Sequence, residues 1–315
     1  MRTAHIRRPA RGYLLAAVGA AMFALNGSLA RYLLDDGIGA ARLSQLRSAG
    51  SWLVLLFALA LMRRDLLRVE RAELPALAFL GVFGLAATHA TYFLAIDRLE
   101  IGPAATIQYL APLLLLVWLR VVHARRLAGS LWGAVALSLA GCFLVVRAYD
   151  AGSLDALGVV AALGAMVSFA VYLVGSERAG HVHQPLTTLF WSFAFASVFW
   201  ALVIPWWSFP WHELSSARNA SLAAGVVVVG TLLPFICMVS ALRHLPAARA
   251  AVVATLEPVL AAAFAWVIHD EALAAVQVAG GAVVLSAVAW VQSRAPDLDA
   301  ELAPLRATRS SRRAP

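Results

Sequence analysis

Residues 247–260 read Ala247-Ala248-Arg249-Ala250-Ala251-Val252-Val253-Ala254-Thr255-Leu256-Glu257-Pro258-Val259-Leu260, and the run continues apolar to Ile268. As a helix rising ~1.5 Å per residue, this stretch is long enough to cross a bilayer core of ~30 Å. Near its middle, however, stand a carboxylate and a proline. A charged side chain at the bilayer centre costs at least ~2.5 kcal/mol on insertion scales, and proline removes a helical hydrogen bond. A span that carries both, side by side, is expected to line something wetter than lipid.

The rest of the chain has the same character. Hydrophobic residues make up 62% of 315 and charged residues only 13%, against about 25% charged in soluble domains. This composition predicts an all-α polytopic membrane protein. The net charge of +8 comes from arginine alone. Most arginines lie between or beyond the apolar runs, where they act as topology signals, so nucleic acid is not an expected partner. Cys142 and Cys237 each sit inside an apolar run, with no metal or disulfide spacing, and read as small core residues. There is no His-Glu-x-x-His zinc motif, no phosphate-binding Gly-x-x-x-x-Gly-Lys and no Gly-x-Ser-x-Gly elbow. Neither cofactor, metal site nor catalytic residue is therefore expected. The loops leave no room for the nucleotide domain of an ATP-driven pump.

Ten segments are long and apolar enough to span, at about 12–34, 41–62, 74–96, 102–122, 129–147, 156–176, 186–205, 220–242, 248–268 and 274–292. Arg2, Arg7, Arg8 and Arg11 precede the first. Its length exceeds a signal peptide's apolar core, so it reads as a membrane helix. With the N-terminus cytoplasmic, nineteen arginines fall inside and five outside, as the positive-inside rule requires. An even number of spans then places both termini in the cytoplasm. The outer loop after the seventh segment holds Trp206, Trp207 and Trp211, which suits an interfacial belt. The Pro-, Arg- and Ser-rich tail, residues 293–315, is expected to be disordered.

Sliding the chain by 146 residues pairs Gly12 with Gly158, Phe23 with Phe169, Pro112 with Pro258, His123 with His269 and Leu127 with Leu273. A repeat of five helices, an odd number, inserts in opposite directions in its two copies, the inverted-repeat design of secondary transporters. The expected organisation is a first five-helix repeat over 12–147 and a second over 156–292.

At this point the chain resembles a known family. Leu256-Glu257-Pro258 leads through an apolar run to His269-Asp270-Glu271-Ala272-Leu273 and Gly280, while Leu110-Ala111-Pro112 keeps the first-half proline. With Arg47 and the stretch Tyr92 to Ile101, this order of motifs resembles the drug/metabolite transporter superfamily, in particular its EamA type with two five-helix halves, over about residues 12–292. Where the family pattern has Glu-Arg-Leu in the first half, this chain has Ala124-Arg125-Arg126-Leu127, so no role passes to a first-half carboxylate. The resemblance implies export of amino acids or similar small metabolites from the plasma (inner) membrane, proton-coupled or by exchange or facilitated diffusion. A homodimer is left open.

The residues themselves suggest a site. Glu257 is placed near the midplane to bind a substrate ammonium or carry a coupling proton. Arg47 is placed to hold a substrate carboxylate or pair with Glu257, with snorkelling to the outer interface as the alternative. His89 and Tyr92 share a helix face, with Thr88 and Thr91 beside them. Gln108 and Tyr109 precede Pro112, and Asn26 aligns with Tyr172 under the 146-residue offset. Together with the helix breaks expected at Pro112 and Pro258, these groups outline a cavity between helices. For each polar group the competing reading is a helix–helix hydrogen bond. Trp191 is either cavity-lining or packing. Two other classes remain open: an intramembrane enzyme with Glu257 and His89 as acid and base, and a non-transporting scaffold.

Overall fold

The computed structural model describes residues 9–99, 101–123, 127–150, 155–269 and 272–293. The Ala124-Arg125-Arg126 triplet, the Asp270-Glu271 pair and the tail from Arg294 lie outside them. The described residues contain helices and no strand. Eight helical segments are long and apolar enough to cross a membrane: α1 Pro9–Asp35, α2 Ala40–Met62, α3 Arg71–Ile96, α4 Ala104–Val121, α6 Ala156–Ala179, α7 Pro185–Val203, α8 Ala217–Ala241 and α9 Ala247–Ile268. Two more apolar helices, α5 Gly129–Val145 and α10 Ala275–Val291, are shorter. Local chemistry sets several starts. Asp155 accepts from the Gly158 N–H at 2.8 Å at the head of α6, and Ser216 accepts from Asn219 N–H at 3.1 Å at the head of α8, each satisfying a helix-start donor. Pro185 opens α7, where its missing N–H costs nothing.

Four of these helices are interrupted. α4 divides into α4a (Ile101–Gln108) and α4b (Ala111–Val121), and α9 into α9a (Ala247–Ala254) and α9b (Leu256–His269). The interruptions fall just before Pro112 and Pro258, whose missing N–H leaves the carbonyl four residues earlier unclaimed. The chain tightens there. Leu110 N–H reaches Ile107 O at 3.1 Å and Thr255 N–H reaches Val252 O at 3.2 Å. The Thr255 hydroxyl also donates to Val252 O at 2.6 Å. α3 and α8 instead widen into π-helical turns, at Leu80–Ala86 and Val228–Leu232. Neither π turn contains a proline.

The helices are apolar all round, so close packing falls to small residues. α5 and α10 cross at Gly141 and Gly280, where a Cβ on either glycine would come within 2.8 Å of the other's carbonyl oxygen. A Cβ on Gly12 would lie 2.6 Å from Leu245 Cγ, and one on Gly158 would lie 2.7 Å from Leu99 Cγ. Likewise a Cβ on Gly84 would lie 3.1 Å from Tyr172 Cα, and one on Gly230 would overlap the Asn26 side chain. In each of these two pairs of contacts, both partners are displaced by the same 146 residues.

One end of the bundle gathers the start of α1 and the end of α10, because the Tyr13 hydroxyl donates to Val291 O at 3.3 Å. This terminal end is closed. α9a is buried along its whole length, including Arg249, and it packs against α4b. Glu177, near the end of α6, accepts the Ala247 N–H at 2.9 Å. At the opposite end Arg42 ties α2 to the α7–α8 connection through Pro205 O (2.9 Å) and Ser208 Oγ (2.5 Å). Trp206, Phe209 and Trp211 stack there, and Trp207 is exposed. Among the described residues, α4a and α9b make no extended contact with each other at that end.

Candidate functional site

Glu257 is the second residue of α9b, directly after the turn at Thr255. Proline supplies the reason it sits at a helix start rather than within one. Tyr109, which occupies the matching turn of α4, lies within electrostatic reach of its carboxylate. Arg47, one turn and more into α2, lies within electrostatic reach of Glu257, and so do Tyr92 and Cys142. Arg47 in turn lies near His89. The structure therefore brings Arg47, His89, Tyr92, Tyr109 and Glu257 together from four helices.

Arg47 Nε donates to Thr231 Oγ1 at 2.7 Å, and that hydroxyl donates to Val226 O at 2.7 Å inside the π turn of α8. The π turn holds Thr231 where it can anchor the guanidinium. The two terminal nitrogens of Arg47 make no hydrogen bond to protein among the described residues, and Arg47 and Glu257 form no direct ion pair. Arg47, His89, Tyr92 and Glu257 all keep some accessible surface although they lie well inside their helices, whereas Tyr109 is buried. A charged pair that served packing alone would be expected in direct contact, since breaking a buried pair is costly. Here the two charges interact electrostatically but lie beyond ion-pair distance.

Below this group is a floor of rings. Phe235 takes Phe23, His89, Tyr172 and Phe193 edge-on, at centroid distances of 4.9, 6.5, 5.4 and 5.4 Å. Aromatic edges packed on faces in this way make a rigid surface. His89 Nδ1 and Asn26 Oδ1 are buried without a hydrogen-bond partner. Tyr172 Oη lies near Ser176 but outside hydrogen-bond geometry. Behind Glu257, Thr255 meets Ser138 Oγ at 3.3 Å and accepts from Cys142 Sγ at 3.8 Å through its carbonyl.

Other expected members stand apart. Gln108 is partly exposed and its side chain makes no hydrogen bond among the described residues. The Thr88 and Thr91 hydroxyls turn back on their own helix, to Gly84 O at 2.5 Å and Ala87 O at 2.7 Å, the usual fate of threonine within a helix. Trp191 packs with Phe190 and Phe195. Thr231 and Phe235 are the residues that sequence reasoning missed. The signals were faint: a hydroxyl after a glycine in Gly230-Thr231, and a ring after a proline in Pro234-Phe235.

Comparison with known proteins gives concordant matches. The model of the EamA-like transporter family matches residues 10–147 and again 156–292. The threonine/homoserine exporter RhtA of Escherichia coli K12 is 28% identical over 230 residues, covering 72% of this chain and 73% of that one. An uncharacterized inner membrane transporter, YicL of Salmonella typhimurium, is 23% identical over 233 residues, covering 71% and 76%. A crystal structure of another protein superposes with a TM-score of 0.74 at 18% identity, covering 92% of this chain and 99% of that one, and so shares the fold.

Proposed function

The chain belongs to the EamA-like transporter family, and from that premise we propose that it exports amino acids or related small metabolites by alternating access around Glu257 and Arg47. It is an integral membrane transporter of a small-molecule substrate and not an enzyme, so the acid–base reading of Glu257 and His89 falls. Amino acids are the proposed substrate class because they need two opposite poles at once, and because the relatives at 28% identity carry the name of amino-acid exporters.

The observation that carries this reading is the gap between the poles. Arg47 is fixed at Nε by Thr231 and keeps both terminal nitrogens for a carboxylate, in the forked geometry that arginine offers. Glu257, with the Tyr109 hydroxyl nearby, is assigned as the acceptor for an ammonium. His89, Tyr92, Asn26 and Tyr172 are assigned to the wall around the substrate side chain, and Gln108 to the approach from the open end. Pro112 and Pro258 keep α4 and α9 broken at the depth of the site.

The wider architecture is proposed as ten spans in two inverted repeats, 12–147 and 156–292. The supports are the paired interruptions of α4 with α9, the paired π turns of α3 with α8, and the reciprocal glycine contacts at a common offset. Both termini are assigned to the cytoplasmic face of the inner membrane. In that orientation α9a and α4b close the cytoplasmic side while α4a and α9b stand apart outside, an outward-facing state. Rocking the halves would exchange the two. Glu257 is also the proposed carrier of a coupling proton, alternating between proton and ammonium.

Proteoliposomes preloaded with radiolabelled amino acids test the assignment. Efflux is expected from wild-type vesicles, with Glu257→Gln at the level of empty liposomes. Equal efflux from wild type, Glu257→Gln and empty vesicles across the amino-acid set sinks the substrate claim. A pH gradient without effect on a working transporter removes the proton.

A further inference from the structure

A second cavity lies away from the charged pair, at the terminal end between α3, α4b and α6. It has a volume of about 750 Å³ and walls that include Leu77, Leu80, Leu114, Val171, Val174 and Ala179. Phe79, Val167 and Val182 on its rim are exposed, so it opens sideways from the bundle. Along α6 it runs from Val167 to Ala179, roughly 18 Å at ~1.5 Å per residue, close to the depth of one leaflet of a ~30 Å core. None of the residues around Glu257 lines it.

Its mouth carries two charges of opposite sign, each with capacity to spare. On α6, the Arg178 guanidinium lies over the Trp118 ring at 5.7 Å. Stacking uses the flat face of the group and leaves its N–H edge outward. The Arg178 guanidinium makes no hydrogen bond to protein among the described residues. On α3, Glu73 Oε2 lies 3.4 Å from His183 Nε2 and accepts from Glu70 N–H at 3.4 Å, while Oε1 has no protein partner among the described residues. An apolar trough one leaflet long, ending at a phosphate-binding edge and a carboxylate oxygen, matches one kind of membrane lipid better than the rest. An anionic lipid satisfies Arg178 and meets repulsion at Glu73. A choline lipid has no N–H for Oε1.

We propose that this cleft is a binding site for a zwitterionic aminophospholipid, with one acyl chain between α4b and α6, the phosphate on Arg178 and the primary ammonium on Glu73. The site is independent of the transported substrate. A lipid seated there rests on α4b and α6, which pack on each other and on α9a, and so braces the closed terminal end seen here.

Native mass spectrometry of the full chain, delipidated in detergent, tests this with phosphatidylethanolamine, phosphatidylcholine and phosphatidylglycerol of identical acyl chains. Wild type is expected to retain phosphatidylethanolamine at least about tenfold over either of the others, the scale of one charge-assisted hydrogen bond. Arg178→Gln is expected to lose the retained lipid, and Glu73→Gln to lose the discrimination against phosphatidylcholine. Equal retention of all three by wild type marks an ordinary lipid shell and overturns the proposal, as does a preference for phosphatidylglycerol. Undiminished retention by a folded Arg178→Gln protein overturns it too. The wild-type ranking decides even if a variant fails to fold.

Discussion

At the scale of single residues, the costly ones were legible and the cheap ones were not. Glu257 and Arg47 stand out because charge inside an apolar run needs a reason. Thr231 and Phe235 are ordinary in such runs, and only a three-dimensional π turn and a ring cluster give them roles. Thr88 and Thr91 show the converse, since their hydroxyls bond back to their own helix. Two variants separate these roles. The Tyr109 hydroxyl beside Glu257 is proposed to hold its carboxylate, so Tyr109→Phe is expected to lower thermal stability by about 1–3 kcal/mol, with efflux slowed but present. Unchanged stability would mean that the Tyr109 hydroxyl does not hold Glu257. Arg47→Lys keeps the charge but loses the fork. The half-saturating substrate concentration for efflux is expected to rise about tenfold or more, and an unaltered value would place the substrate carboxylate elsewhere.

Helices themselves were largely readable, because length and apolarity are additive along a chain. Some ends moved by a few residues, as at Ser216, whose cap starts α8 at Ala217 rather than about 220. The breaks in α4 and α9 were announced by proline, whereas the π turns carry no sequence mark, being settled by packing across helices. Glycine contacts belong to this scale as well. Gly230→Ala places a methyl group against Asn26, and overpacking of this kind typically costs about 1–3 kcal/mol. Asn26→Ala in the same chain is expected to restore part of the loss in a thermal unfolding series, since coupled neighbours are not additive. Simple addition of the two losses would show that Asn26 and Gly230 do not touch.

For the molecule as a whole, charge asymmetry makes a prediction independent of any substrate. In a background with Cys142 and Cys237 replaced by serine, Trp207→Cys is expected to react with a membrane-impermeant maleimide in intact cells. Met62→Cys, exposed near the terminal end, is expected to react only after lysis. The reverse pattern would invert the orientation and move the open end inward. Arginine placement suggested this topology from sequence alone, but the pairing of α1 with α8 and of α3 with α6 was hidden. Which helices meet depends on contacts at long separation, and alanine-rich surfaces carry little individual signature.

The π turn in α3 precedes His89 and Tyr92, and the one in α8 contains Thr231 and precedes Phe235. A π turn holds one residue more than an α turn, so it is a movable dislocation. Let it migrate past a given side chain, and that side chain swivels by about 100° around its axis. The helix ends need not shift. In each half, a slip of one hydrogen bond would then re-aim the groups that grip the substrate. Deleting one residue from Leu80–Ala86 freezes the swivel and tests it. His89 and Tyr92, outside the shortened turn, would keep facing Glu257, so substrate binding is expected to persist while transport stops; unimpaired transport would overturn the swivel.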